Sequence, residues 1–242
     1  MFTAYALIKN LDSRSNVLQF NEFSLRKIQQ GRRRELEAAR ELFPYSRVTF
    51  GDWVYEKSYQ QAPPVAPHQH DIGFGRIPSE TEDLLLLLRL FKAGDLCFSS
   101  QAIRDHDGRV NPQYPYWAMA DIVSTFPYTI EQAECAAFDA FAFEIPQYGS
   151  WQSTWFQTAR RFFLSGGAKE FNLHWDLVDR IVDYATALEA VLSTEMDYLR
   201  RQLSMRGTRL LGHDGPNEDT RLIKRFYDLR STIAHGSQRS PA

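Results

Sequence analysis

The last helical tract of the chain ends Tyr227-Asp228-Leu229-Arg230-Ser231-Thr232-Ile233-Ala234-His235-Gly236, which sets an arginine and a histidine five positions apart. Leu222, Phe226, Leu229 and Ile233 recur at the spacing of one apolar helical face, so folding alone does not call for the polar residues between them. On a wheel of about 100° per residue with Leu222 at zero, Arg230 falls near 80°, Tyr227 near 140°, Ser231 near 180° and His235 near 220°. The spacing therefore predicts a polar sector turned away from the core. A cation, two hydroxyls and an imidazole in one sector suit the binding of a phosphate ester and the transfer of protons at it. His235 closes the helix just before Gly236, where the helix dipole favours an imidazolium.

A second polar residue stands out upstream. Val182, Ala185, Glu189 and Leu192 fall on one stripe of a predicted helix over 177–192, which puts a carboxylate where an apolar side chain is expected. An unpaired ion there costs several kcal/mol. Arg230 is the expected partner, and a solvated position on the rim of the bundle is the alternative.

Further helices are predicted over 130–143, 151–163, 196–211 and 220–234, with turns at Ser165-Gly166-Gly167 and Gly212-His213-Asp214-Gly215-Pro216; the last of them restarts at Asn217 or Asp219. The first part of the chain is mixed. Strand-like pieces at 4–8, 17–20, 48–55 and 95–99 accompany a helix over 32–43 stopped by Pro44 and another over 79–91, where Ser79 and Glu82 have capping-box spacing. The expected fold class is α+β overall, with a mixed α/β region over 1–128 and an all-α helical region over 129–242.

The 242 residues, 43% of them hydrophobic, suffice for one or two domains with substantial cores. A net charge of −2 excludes a strongly basic nucleic-acid-coating protein, yet the residues from Glu195 onward carry +3 and the rest −5. The basic excess thus lies beside the Arg/His tract. Cys97 and Cys135 sit in apolar surroundings, which suggests buried thiols in a reducing, cytoplasmic setting. The N-terminus does not read as a secretory signal, and the greasiest run, 84–88, is too short to span a bilayer.

Other motifs carry less. His68 and His70 alternate as two metal ligands on a strand would, but with no third ligand nearby the Pro-rich segment reads as a surface loop. Asp105 to Gly108 reads as a turn. Arg32-Arg33-Arg34 is followed by Glu35, Glu37 and Glu41, the pattern of a solvated helix. Tyr114-Pro115-Tyr116-Trp117 and the aromatics of 151–163 offer stacking surfaces for bases, although such residues more often form core.

Taken together, Ala187-Leu188-Glu189-Ala190, Leu203, Arg206, Leu210-Leu211, Arg221, Tyr227, Arg230-Ser231 and His235-Gly236 resemble the Apea-like branch of the HEPN superfamily, over a core of about 173–236. The resemblance implies a HEPN-like helical bundle that homodimerises and brings two Arg/His motifs together in a cleft. It also implies a metal-independent endoribonuclease needing no cofactor, in RNA processing, toxin-antitoxin or antiphage systems. Arg230 and His235 would be catalytic, with Ser231, Tyr227 and Glu189 supporting them or binding substrate. The alternative it carries is a non-catalytic module that binds RNA, a nucleotide or a protein. Residues 1–128 would then act as a sensor or recognise a regulatory protein partner. At Gly207 the family pattern leads one to expect a helix former, so the helix there is expected to be bent or loosely packed.

Overall fold

The computed structural model describes residues 2–44, 46–60, 76–113, 126–168, 174–193, 198–212 and 217–234. The chain divides into two compact units, Met1–Gln147 and Tyr148–Ala242, and the class is α+β.

The first unit is built on strand β1 (Phe2–Lys9), whose residues from Ala4 to Lys9 are all buried. Small Ala4 and Ala6 alternate with Tyr5 and Leu7, so β1 can be covered on both faces. It lies between two antiparallel neighbours, β5 (Trp53–Tyr59) and β6 (Cys97–Arg104). With β3 (Val17–Gln19), β4 (Ser24–Lys27) and β7 (Val110–Gln113) they form an antiparallel sheet of order β3-β4-β5-β1-β6-β7. The turn between β6 and β7 is the one expected at Asp105 to Gly108. The Asp105 carboxylate accepts the N–H groups of Asp107 and Arg109, both at 2.9 Å, and Gly108 takes φ 81°.

Helix α1 (Arg33–Leu42) covers one face, burying Leu36, Ala39 and Leu42 against Tyr5, Leu7, Ile28 and Ala102. Its outer side carries the Arg32–Glu35 and Arg33–Glu37 ion pairs of a solvated helix. Helix α2 (Arg76–Phe91) is tied to the sheet where the Gln101 amide donates to Thr81 Oγ1 at 2.6 Å and the Tyr59 hydroxyl donates to Glu80. This helix begins three residues before the expected start at Ser79. The first turn of a helix has N–H groups with no internal partner, so Pro78, which has none to give, is accommodated there. Strand β5, in contrast, starts later than expected, at Trp53.

The expected change from mixed to helical character near residue 128 and the division between compact units are different positions. Strand β8 (Tyr128–Thr129) pairs in parallel with β2 (Leu11–Asp12), and the Glu131 carboxylate accepts the Ser13 hydroxyl at 3.1 Å. Helix α3 (Cys135–Glu144) places Phe138, fully buried, edge-on against Phe20 and Phe91 at 5.4 and 5.5 Å. These contacts hold 128–147 in the first unit. Cys97 and Cys135 are free and buried, and burial pushes both thiols up to about 11, so neither is a ready nucleophile at neutral pH.

Where β1 ends, Lys9 Nζ meets Asp52 Oδ2 at 2.6 Å and also donates to the Arg47 carbonyl at 2.6 Å. Asp52 Oδ2 accepts the Thr49 N–H at 2.7 Å, so the buried pair carries hydrogen bonds beyond its mutual contact. Lys9→Met should destabilise the protein by about 3–5 kcal/mol, because it leaves a buried carboxylate without its cation. Urea unfolding of the variant measures this, and a loss well under 1 kcal/mol would show that Asp52 is effectively solvated.

Candidate functional site

In the second unit, all the described elements are helical. Helix α4 (Thr154–Ala168) runs through Ser165-Gly166-Gly167, where a turn was expected. Gly166 serves packing: a Cβ there would lie 3.1 Å from the Tyr184 ring, and the Ser165 hydroxyl donates to Asp183 at 2.7 Å. Helix α4 thereby lies close against α5 (His174–Leu192). Trp151 is buried and Trp155 is 45% exposed.

Helices α6 (Leu199–Leu210) and α7 (Glu218–Ala234) run antiparallel and are joined at three levels. Asn217 caps α7, its Oδ1 accepting the Thr220 N–H at 2.9 Å while Thr220 Oγ1 accepts the Asn217 N–H at 3.1 Å. The Thr220 and Thr208 hydroxyls then share a buried hydrogen bond of 2.9 Å between the helices. Further along, Ile223 packs over Gly207, and beyond that Arg200 forms a two-point ion pair with Asp228 at 2.7 and 2.8 Å. On the other side, Arg206 donates to the Leu192 carbonyl at 2.6 Å, satisfying the end of α5.

Arg230 Nη2 reaches Glu189 Oε2 at 3.2 Å, joining α7 to α5. The Glu189 side chain is 15% exposed and that of Arg230 22%. Glu189 thus has the cationic partner expected of it. The contact is single: Glu189 Oε1 and Arg230 Nε are buried and have no hydrogen-bond partner among the described residues. Burial raises the Glu189 carboxyl above the ordinary carboxylate range, and the Arg230 charge opposes that rise.

This geometry corrects the helical wheel. Arg230 does not face outward, and the stripe Leu222–Phe226–Leu229–Ile233 is not buried as a unit: Phe226 borders an apolar cavity, but Leu222 is 63% exposed and Leu229 47%. The inward positions are Thr220, Ile223, Tyr227 and Arg230, which meet Thr208, Gly207, an apolar cavity and Glu189. Hydrophobic periodicity selected the wrong face because the neighbouring helices offer α7 a glycine and a carboxylate. Gly207 and Glu189 are the signals that mark the true face.

Tyr227 lines that cavity, about 210 Å³ in volume, with Leu188, Leu192, Leu203, Ile223 and Phe226. Glu189 and Arg230 are therefore brought together between α5 and α7, whereas Tyr227 belongs to the neighbouring apolar cavity. Ser231 is half-buried on the next position of α7. His235 and Gly236 lie outside the described residues, as do His68 and His70, the segment 114–117 and the turn at 213–216. Among the described residues, no three His, Cys, Asp or Glu side chains gather as a metal site, and no helix is long and apolar enough to cross a membrane.

Helix α6 is continuous through Gly207, not interrupted there. A Cβ at this position would come within 2.8 Å of Ile223 Cδ1, the flexible tip of a side chain that also borders the cavity. Rotation of Ile223 into that space relieves the clash, and the helix gains about 1 kcal/mol of propensity. Gly207→Ala should therefore leave stability unchanged or raise it by up to about 1 kcal/mol in thermal unfolding. A loss above about 2 kcal/mol would mean that the helix pair cannot give at this point.

The raised Glu189 carboxyl also sets a pH dependence. A group more basic in the folded than in the unfolded chain favours folding when protonated, so its contribution is full below its unfolded pKa, about 4.3, and is lost as pH rises through the folded value. Glu189→Gln should remove that decline, so the stability difference between variant and wild type should shift in favour of the variant as pH rises from 4 towards neutrality. A pH-independent difference would contradict the assignment. Comparison with known proteins finds no family model, no curated protein and no solved structure that matches this chain.

Proposed function

We propose that the chain is a metal-independent endoribonuclease of HEPN type, with Arg230 and His235 as its catalytic residues, acting in a cytoplasmic defence or toxin-antitoxin setting. The observation that carries this reading is the Glu189–Arg230 pair. A guanidinium drawn out of water by an acid on α5 is fixed in place near the end of α7, five residues before the histidine. A positive charge partly withdrawn from water acts more strongly on developing negative charge than a solvated one, which is the role this reading gives Arg230.

The chemistry follows from these groups. A base takes the proton of the ribose 2′-OH, the 2′-oxygen bonds to the adjacent phosphorus, and the phosphorus–O5′ bond breaks. Arg230 stabilises the extra charge on the phosphoryl oxygens, and the His235 imidazolium returns a proton to the leaving 5′-oxygen. The products are a 2′,3′-cyclic phosphate and a 5′-hydroxyl. A spacing of five residues would set Arg230 and His235 about 140° apart if the helical repeat continued, so acid and base are best supplied by two protomers of a homodimer. Glu189 orients Arg230, Ser231 lies one turn before His235 where it can orient the ring, and Tyr227 supports the α5–α7 contact. The first unit is then the sensor or the site for a regulatory protein.

A specific observation favours a second reading, a non-catalytic HEPN module. The carboxylate partner already neutralises Arg230, and Leu188, Leu210, Leu211 and Leu222 are exposed, as a surface that binds another protein would be.

Labelled RNA incubated with the protein in EDTA separates the two. Cleavage to cyclic-phosphate ends should fall by about 10²-fold or more in Arg230→Ala and in His235→Ala. Cleavage that survives in both variants removes the assignment. Binding without cleavage by the wild type across several RNAs favours the module.

A further inference from the structure

The outward face of α6 carries a feature that the Arg230 site does not use. Tyr198, immediately before the helix, has φ 59° and ψ 29°, a left-handed conformation that Gly or Asn adopts far more readily than an aromatic residue. Nothing in the core explains keeping a tyrosine there, since it is 79% exposed. Its carbonyl accepts the N–H groups of Arg201 and Gln202 at 2.9 and 3.0 Å, so the strained residue is fixed to the start of the helix and its ring is presented to solvent.

The same face continues with charge. Tyr198, Arg201, Met205 and Arg209 follow one another at helical spacing, and all four are exposed. Helix α6 contains four arginines and no acidic residue. Arg200 is engaged by Asp228 and Arg206 by the Leu192 carbonyl. Arg201 and Arg209, in contrast, have no ion-pair partner among the described residues. Eight residues separate them, about 12 Å along the axis.

We propose that this face, Tyr198–Arg201–Met205–Arg209, is a track for single-stranded RNA, with the Tyr198 ring stacking on a base and the two arginines bonding backbone phosphates. The proposal rests on the RNA reading above and deepens it by naming how the substrate is held. Charge complementarity selects a polyanion, and an aromatic ring fixed at one end of a basic row selects one with unstacked bases. Duplex RNA offers no free base face to the ring. An acidic polypeptide offers the charge without a π face at every unit of the chain.

The test uses the full chain bearing His235→Ala, so that substrate survives, and a short labelled oligouridylate followed by fluorescence anisotropy at several salt concentrations. Adding Arg201→Ala with Arg209→Ala should weaken binding about tenfold or more and flatten the slope of log K against log salt by about 1.4, at about 0.7 per single-strand phosphate contact. Tyr198→Gly should weaken binding between about 5- and 100-fold by loss of stacking. The same change should leave Tm equal or higher, because glycine suits the left-handed backbone, so lost affinity cannot be read as misfolding.

Unchanged affinity and slope in both variants, with a parent that binds, would overturn the track and leave the ribonuclease reading standing. A parent that binds no oligonucleotide would overturn the track. If that parent instead binds oligoglutamate in an Arg201- and Arg209-dependent way, the face belongs to an acidic polypeptide. The cleavage assay on wild type then decides separately whether the RNA reading falls with it.

Discussion

A carboxylate withdrawn from water between helices needs a cation, and in the second unit that need decides which way α7 faces. Glu189 lies on the packed side of α5 with Ala185 and Leu192, which are buried. Once Arg230 turns inward to meet it, the helical repeat brings Tyr227, Ile223 and Thr220 onto the same side. Each finds a matching neighbour: the cavity wall, Gly207 and Thr208. The consequence for the surface is just as direct. Leu222 and Leu229 are left exposed because the polar pair claims the interior that an apolar stripe would otherwise have taken.

The first unit solves a similar problem differently. Lys9 and Asp52 are more deeply buried than Glu189, but Lys9 also reaches the Arg47 carbonyl, and Asp52 also accepts from Thr49. A buried ion pair supplied with extra hydrogen bonds is a structural clamp, here fixing the end of the central strand to the start of β5. The Glu189–Arg230 pair has one contact and two buried atoms without partners. The contrast in bonding is the physical reason for reading one pair as architecture and the other as a candidate site.

Sequence patterns located most elements, and where they failed the cause is tertiary. Residues 4–8, 33–42 and 177–192 carry clear periodicity and form the expected strand and helices. The glycines at 166 and 207 looked like a turn and a weak point, yet both sit inside helices because a neighbouring side chain fills the space that their missing Cβ leaves. Pattern alone cannot distinguish a glycine that breaks a helix from one that lets another helix approach. The Glu189–Arg230 pairing was legible because an acid in an apolar stripe demands a cation. The orientation of α7 was not, because apolar spacing and the pull of that acid pointed to different faces.

Departures from local rules occur in both units. In the first, the central strand is buried, α1 carries two ion pairs on its own surface and both thiols are shielded, while Phe126 and Phe143 are exposed. In α5 to α7 an acid stands in an apolar stripe, a glycine interrupts no helix, a tyrosine is held left-handed in solvent, and leucines are exposed around an apolar cavity. Any one of these departures has a structural cost that a simpler residue would avoid. Two of them, the acid withdrawn from water and the left-handed tyrosine, lie in or beside the helices on which the proposed site and track are drawn.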